Sequence, residues 1–170
     1  NVFGQQPASE GVAYAGLVTY SAGGKRNYRE YLQTKLTRPL NAGEMVCIEM
    51  YVSSADLCNF VTDGIGVLLT EKKVESNLQT ELAHKPTMGN PRFNMLDESA
   101  QWQLISDIYT AAGGEEYVTI GNFKADKDLK VLRRTQQSGD KGFGKWSYVY
   151  IDDVKVRPVQ RKQECSCENE

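Results

Sequence analysis

The sequence predicts an all-β protein folded as an antiparallel β-sandwich, and three observations lead to that prediction. Apolar and polar side chains alternate with a period of two along several stretches, as they do on a half-buried strand. These stretches follow one another at intervals of about 10 to 20 residues, with glycine and proline turns between them. No stretch sustains the period of 3.6 residues that an amphipathic helix requires. Short strands in such a succession are typical of two packed antiparallel sheets.

Seven stretches are predicted as strands, and the third shows the alternation most clearly. In MVCIEMYVS, Val46, Ile48 and Met50 fall on one face, while Cys47 and Glu49 fall on the other. The predicted strands are 11–20, 29–36, 45–53, 63–70, 102–111, 117–123 and 146–156.

Two stretches between these strands carry weaker patterns. Residues 71–101 contain prolines, glycines and polar residues, and we expect one or two short edge strands there within long loops. Residues 126–145 are predicted as a mobile loop, and the alternative for residues 128–134 is a helical turn.

Length and composition limit the domain organisation and the classes of partner. The chain has 170 residues, 40% hydrophobic and 25% charged, with a formal net charge of −2. We expect one domain at residues 1–158, followed by a polar tail or linker at 159–170. The charge gives no reason to expect nucleic acid as a partner. No apolar run approaches the roughly 18 residues of a membrane span, so we expect no membrane insertion by this chain.

The cysteines and the single histidine suggest no metal site. Cys47, Cys58, Cys165 and Cys167 form no CxxC pair, and His84 has no partner at zinc-ligand spacing. Two interpretations stay open for the first pair, namely a Cys47–Cys58 disulfide or two free thiols. Cys165 and Cys167 are too close in sequence for a relaxed bridge with each other, so they are expected to be free or bonded to something outside this chain.

Five stretches together resemble a known family. The resemblance covers residues 4 to 157 and is to the jelly-roll domain of exported and outer-membrane proteins of the Bacteroidota, often placed ahead of an OmpA-like domain. It implies a galactose-binding-like jelly roll, similar to carbohydrate-binding modules, in the extracellular space or the cell envelope. The five stretches are SEGVAYAGLVTY, YREYL followed by RPLNAGE, YVSSADLCNFVTDGIGVLL, GGEEYVTIGNF and YVYIDDVKV.

Two adjacent carboxylates interrupt the last predicted strand, WSYVYIDDVKV. Strict alternation turns either Asp152 or Asp153 toward the core, and the valines at 154 and 156 favour Asp152. A buried carboxylate is costly unless it is hydrogen-bonded, paired or bound to a metal. Two explanations stay open: Asp152 accepts hydrogen bonds from backbone amides or a tyrosine hydroxyl, or, as the resemblance implies, it helps to bind a structural Ca²⁺.

The sequence favours a binding protein over an enzyme. His84 is the one histidine, no GxSxG elbow is present, and nothing nominates a pair of catalytic carboxylates. The family resembled acts by binding, which implies recognition of a polysaccharide or cell-surface glycan, or surface adhesion, within a larger OmpA-family-like protein. The alternative is a structural spacer or protein-interaction domain without a small-molecule ligand.

Aromatic rings are the natural platforms for sugars, because the C–H face of a sugar packs on a ring while polar groups around it bind the hydroxyls. Glu30 could line such a groove or pair with a lysine or arginine across the strand, and Trp102 is a further aromatic candidate for which burial is the alternative. Asp63 and Asn122 are expected to organise turns through side-chain-to-backbone bonds. The candidate ligand-binding residues are Tyr28, Glu30, Tyr31, Tyr109 and Trp146.

Overall fold

The all-β prediction is confirmed. The computed structural model describes residues 3, 4, 6–134 and 144–165, and these residues form ten strands, two short 3₁₀ turns and no α-helix. The strands are β1 (Ala15–Ser21), β2 (Tyr31–Lys35), β3 (Met45–Ser54), β4 (Phe60–Thr62), β5 (Gly66–Thr70), β6 (Met88–Gly89), β7 (Gln103–Thr110), β8 (Tyr117–Gly121), β9 (Val131–Arg133) and β10 (Trp146–Pro158), and the 3₁₀ turns are Asp126–Asp128 and Lys162–Glu164. None of the helical segments among the described residues is long and apolar enough to span a lipid bilayer.

The strands form two four-stranded antiparallel sheets and one small pair. The front sheet has the order β1-β10-β3-β7, the back sheet has the order β2-β8-β5-β6, and β4 pairs with β9. Without the β4–β9 pair, successive strands distribute between the two sheets in the order of an eight-stranded jelly roll. The predicted jelly-roll sandwich is therefore observed.

The core lies between the two sheets and follows from the alternation along each strand. On β3, Val46, Ile48, Met50 and Val52 point inward and have 0% exposure. Each such side chain contributes about 1.5 to 3 kcal/mol by leaving water. They meet apolar side chains from the back sheet and from β1, β7 and β10: Leu17, Val67, Leu69, Ile105, Val118, Ile120, Val149 and Ile151.

A β-bulge in β10 explains the two adjacent aspartates. Asp152 is paired with Tyr51, and Lys155 is paired with Glu49, so β10 advances three residues while β3 advances two. Asp153 sits in the extra step with a φ of 47°, a left-handed conformation that aspartate tolerates better than most residues.

The bulge shifts the side-chain alternation by one position. Before it, Val149 and Ile151 point into the core, and after it Val156 packs against the same core. Asp152 and Asp153 are both half-buried and outside that core. The expectation that Asp152 faces inward is therefore wrong, because it assumed an uninterrupted period of two.

The two regions with weak sequence patterns form short strands and a 3₁₀ turn. The short edge strand expected between residues 71 and 101 is β6. No helical turn forms over residues 128–134: the 3₁₀ turn at Asp126–Asp128 ends at the first residue of that range, and β9, which the sequence did not predict, follows. The rest of the predicted mobile loop, at residues 135–143, lies outside the described residues.

The cysteine pairing differs from both alternatives raised by the sequence. Cys47 is bonded to Cys165, with a Cα–Cα distance of 5.4 Å, and Cys58 is a buried free thiol. Cys47 lies near the start of β3, and Cys58 follows the end of β3 at Ser54. The extended stretch from Cys47 to Ser54 spans about 20 Å, which is too far for a bond between the two cysteines. Cys167 lies outside the described residues.

The first part of the predicted tail lies against the front sheet. Val159 and Cys165 are buried beside Cys47, with Met45 and Ile108 packed around them. Residues 159 to 165 are therefore tied to the sandwich. The domain boundary after residue 158 stays a prediction.

Candidate functional site

Aromatic side chains gather on the outer face of the front sheet. Trp146, Tyr148 and Tyr150 occupy every second position of β10, and side chains with that spacing share one face. The rings of Tyr148 and Tyr150 meet edge to face at 5.6 Å between centroids. Tyr14 meets Tyr150 at 5.0 Å and Trp102 at 5.6 Å. The result is a continuous aromatic cluster outside the main core.

A groove of about 300 Å³ opens beside this cluster. The half-buried Tyr14 and Tyr148 and the buried ring of Tyr150 form its aromatic wall, and small residues at the start of β1 and just before it form its floor. Gly16 is required there, because a Cβ atom at this position would lie 2.4 Å from Cε1 of Tyr148. The lining residues of this tyrosine groove are Ala13, Tyr14, Ala15, Gly16, Tyr148 and Tyr150.

The N-terminal segment packs on one side of the same cluster. Phe3 stacks on Tyr148 with 4.1 Å between centroids and 12° between planes. The indole Nε1 of Trp102 donates a hydrogen bond to the carbonyl of Pro7 at 2.9 Å. Trp102 is half-buried, so it anchors this segment at the rim of the cluster.

Three of the five predicted ligand-binding residues lie together next to the cluster. The rings of Tyr28 and Trp146 meet edge to face at 5.6 Å. The Tyr28 hydroxyl donates to Oε1 of Glu30 at 3.1 Å, and the Val18 amide donates to Oε2 at 2.8 Å. Glu30 thus bonds to a phenol and an amide, and no lysine or arginine of the described chain is within ion-pair distance. The expected cross-strand ion pair is therefore wrong.

The Glu30 carboxylate lies close enough to affect the neighbouring phenols. Burial, and then the charge of Glu30, raises the pKa of Tyr148. Burial, followed by the hydrogen bond to Glu30, also raises the pKa of Tyr28. Both hydroxyls therefore remain protonated at neutral pH and can act as hydrogen-bond donors.

The other two predicted ligand-binding residues lie away from the tyrosine groove. On β2, the Tyr31 hydroxyl donates to the Asn122 carbonyl at 2.7 Å and accepts from the Leu82 amide at 2.9 Å. Burial raises the pKa of Tyr31 to about 12. The hydroxyl of Tyr109, on β7, donates to Oε1 of Glu115 at 2.7 Å. The ligand-binding role of these two tyrosines stays a prediction.

Asp152 anchors the N-terminal segment to the front sheet. Its Oδ2 atom accepts hydrogen bonds from the amides of Ser9 at 2.8 Å and Glu10 at 3.1 Å. Its Oδ1 atom accepts from the amide of Asp153 at 2.8 Å. The explanation by backbone hydrogen bonds is therefore confirmed.

The hydrogen bonds to Asp152 come from three backbone amides, and calcium, which takes six to eight oxygen ligands, stays a prediction at this carboxylate. Within the described ranges, the group of metal-ligating side chains close enough to share an ion is Cys47, Glu49 and Cys165. Its two cysteines are joined in the disulfide and cannot serve as thiolate ligands.

The expected turn-forming role is confirmed for Asn122, whereas the Asp63 side chain bonds to the backbone of remote segments instead of its own turn. Oδ1 of Asn122 accepts from the Lys124 amide at 2.9 Å, and Nδ2 donates to the Thr19 carbonyl at 2.8 Å. The carboxylate of Asp63 accepts from the amides of Phe93 at 3.2 Å and Lys130 at 3.0 Å.

Sequence reasoning did not nominate the three tyrosines of the groove. A signal for two of them is present, since aromatic residues occupy alternate positions in WSYVY and must share a face of the strand. Tyr14 carries no such signal, because its contact with Tyr150 depends on the pairing of β1 with β10.

Comparison with known proteins finds distant structural similarity. No family model matches the sequence, and no curated protein matches it. Among solved structures, the chain is similar to one described as "CBM4 structure and function", with 15% identity and a TM-score of 0.44 over 86% of this chain and 71% of that chain. A similarity of this size assigns neither a ligand nor a site.

Proposed function

We propose that the chain is a non-catalytic carbohydrate-binding module whose tyrosine groove holds a glycan. The observation that carries the proposal is the groove of about 300 Å³, in which Tyr14, Tyr148 and Tyr150 surround a floor of small residues. The C–H face of a sugar can pack on the half-buried rings of Tyr14 and Tyr148, which the buried Tyr150 supports, and the hydroxyls of these two rings can bond to its hydroxyl groups.

Tyr28, Glu30 and Trp146 extend this surface. Glu30 accepts two hydrogen bonds from the protein, and a carboxylate has about four acceptor positions, so it can accept further bonds from sugar hydroxyls. The Tyr28–Trp146 pair supplies a second apolar face beside the groove. We therefore expect a ligand of more than one sugar unit, lying across β10 and β1.

The proposed location is outside the cytoplasm, in the extracellular space or at the cell envelope. A disulfide between Cys47 and Cys165 supports this, because such bonds persist mainly in oxidising compartments. An association with the outer membrane and a neighbouring OmpA-like domain stay predictions that rest on the family resemblance. Mass spectrometry of the exported full-length protein would test both.

A binding screen with two variants of Tyr148 tests the function. We expect the native chain to bind at least one neutral plant, algal or bacterial polysaccharide on a glycan array. Tyr148→Ala should abolish that binding, and Tyr148→Phe should retain much of it, because the ring remains. Tyr117→Ala is the matched control, since it truncates a half-buried tyrosine on β8 of the back sheet, away from the groove. Absence of binding across the whole array would reject the proposal.

One observation favours the alternative, a structural spacer or protein-interaction domain. Phe3 already stacks on one side of Tyr148 at 4.1 Å, so the cluster also anchors the N-terminal segment. If anchoring is its whole role, Tyr148→Ala lowers the melting temperature while no glycan binding exists to be lost. Measuring unfolding and binding on the same samples separates the two functions.

The structural calcium ion implied by the resemblance is tested independently. Melting temperatures with and without a chelator provide the measurement. A fall in the presence of the chelator would support a bound ion, and an unchanged value would remove calcium from the proposal.

A further inference from the structure

Phe93 is an exposed aromatic ring far from the sequence-predicted sites. It is 64% exposed, and every other aromatic residue of the described chain is half-buried or buried. It lies on the surface turn between β6 and β7, in which the Asn94 amide donates to the Pro91 carbonyl at 3.1 Å. Large apolar side chains on a surface mark contact sites when polar groups surround them.

The backbone of Phe93 is held in an unfavourable conformation. Its φ is 70°, a region that costs a residue other than glycine about 1 kcal/mol or more. The Phe93 amide donates to Oδ2 of Asp63 at 3.2 Å, which fixes the turn in this conformation. Strain of this kind persists where the surrounding structure enforces it, and it is concentrated at binding sites.

Two cations lie over the Phe93 ring. Cζ of Arg92 and Nζ of Lys130 each lie 5.0 Å from the ring centroid of Phe93. A groove of about 310 Å³ continues from Arg92 and is lined by Asn90, Arg92, Lys124, Lys127 and Asp128.

The positive charges of this surface exceed the negative ones. Lys124 is paired with Asp63 at 3.1 Å. Arg92, Lys127 and Lys130 have no carboxylate within ion-pair distance in the described part of the chain. The four cations face two carboxylates, Asp63 and Asp128, although the whole chain has a net charge of −2. A local positive potential in an acidic protein favours an anionic ligand.

The buried Asp63 carboxylate positions this surface. It has 0% exposure and accepts bonds from the amides of Phe93 and Lys130, besides its ion pair with Lys124. One side chain thus joins the loop after β4, the turn carrying Phe93 and the segment ahead of β9. The ring and its cations are therefore held in a fixed arrangement.

We propose that Arg92, Phe93, Lys124, Lys127 and Lys130, the Phe93 patch, bind an anionic sugar unit of an acidic polysaccharide. The ring packs on the C–H face of the sugar, and the cations bind its carboxylate or sulfate group. The patch has one exposed ring and one compact groove, whereas nucleic acids are bound by extended basic surfaces with several stacking rings. None of the residues of the Phe93 patch lines the tyrosine groove.

The test measures binding to polygalacturonate, dextran sulfate and neutral dextran by isothermal titration at low ionic strength. We expect the native chain to bind at least one of the two acidic polymers. Neutral dextran should show no binding that depends on the Phe93 patch. The variant Arg92→Gln/Lys130→Gln should bind the acidic polymer about tenfold more weakly. The control Lys72→Gln/Lys162→Gln removes the same charge at two exposed positions, one beyond the far end of β5 and one beside the disulfide, and should bind normally.

Phe93→Gly tests the ring without damage to the fold. Glycine accepts positive φ, so this variant should melt at the same temperature or higher, yet bind the acidic polymer several-fold more weakly. Three results would overturn the proposal: no binding of either acidic polymer, an equal loss in the control pair, or tighter binding of single-stranded DNA. Tyr148→Ala should keep the acidic polymer bound, which separates this proposal from the function of the tyrosine groove.

Discussion

Cys47 and Cys165 are 118 positions apart in the sequence, and a disulfide holds their Cα atoms 5.4 Å apart. The bond joins the outward face of the central strand β3 to the chain beyond β10. In the middle of β10, Asp152 accepts hydrogen bonds from the amides of Ser9 and Glu10. Both ends of the described chain are thus fixed to the outer face of the front sheet, which is also the face that carries the tyrosine groove.

The first prediction concerns the disulfide. Reduction, or the variant Cys47→Ala, should lower the free energy of unfolding by about 3 to 5 kcal/mol, because the bond closes a long loop in the unfolded chain. Thermal unfolding with and without a reductant measures the effect. Cys58→Ala should retain the full response to the reductant, since Cys58 is a free thiol. Peptide mapping that links Cys47 to Cys58 would contradict the assignment.

The second prediction concerns the bulge. Asp152→Ala removes the acceptor of the Ser9 and Glu10 amides and should lower the free energy of unfolding by about 1 to 2 kcal/mol. Asp153→Gly should change it by no more than about 0.5 kcal/mol, because glycine accepts the φ of 47° and only a surface ion pair with Lys155 is lost. Denaturant unfolding gives both values, and hydrogen exchange at Ser9 and Glu10 should accelerate in Asp152→Ala alone. Equal destabilisation by the two variants would contradict these roles.

The third prediction concerns acid stability. Glu44 accepts bonds from the Arg38 guanidinium and, at 2.9 Å, from the Asn41 amide, and these lower its pKa from 4.5 to about 2. Because the folded state favours the charged form, its contribution is complete above pH 4.5 and is lost as the pH falls toward about 2. The native chain should therefore be more stable than Glu44→Gln at neutral pH, and the difference should vanish near pH 2.

Denaturant unfolding across this pH range measures that difference. Arg38→Gln should reproduce part of the effect, because the guanidinium is the main cause of the lowered pKa. A difference between the native chain and Glu44→Gln that stays constant with pH would show that the carboxylate does not titrate in this way.

The sequence predicted the sandwich because its strands carry a regular period. In β3, the alternation of Val46, Ile48 and Met50 with outward residues is visible in the sequence and is observed in the structure. The same reasoning failed at Asp152, because one inserted residue in β10 shifts the period without any change in composition. Periodicity describes single strands, whereas a bulge is a property of a strand and its partner.

Long-range contacts explain the other failures. Cys47 faces Cys165 because β10 pairs with β3 and carries the chain back to it. The sequence alone gives no measure of that distance, so the nearer Cys58 was the plausible partner. Phe93 was not nominated for the same reason, since its cations at Lys124 and Lys130 come from a remote segment that the buried Asp63 holds beside it.

The last prediction concerns Gly16, which lies in the floor of the tyrosine groove. Gly16→Ala places a Cβ atom 2.4 Å from the Tyr148 ring, so the ring must move away from the floor of the groove. Neutral glycan binding should weaken at least tenfold, because the displaced ring no longer packs on the sugar. Gly89→Ala is the matched control, because the nearest atom to its Cβ is a proline carbon at 3.6 Å, an ordinary contact. Glycan titrations and melting curves of both variants provide the measurement. If Gly16→Ala binds glycan as the native chain does while Tyr148→Ala does not, the ring acts from a position other than the groove.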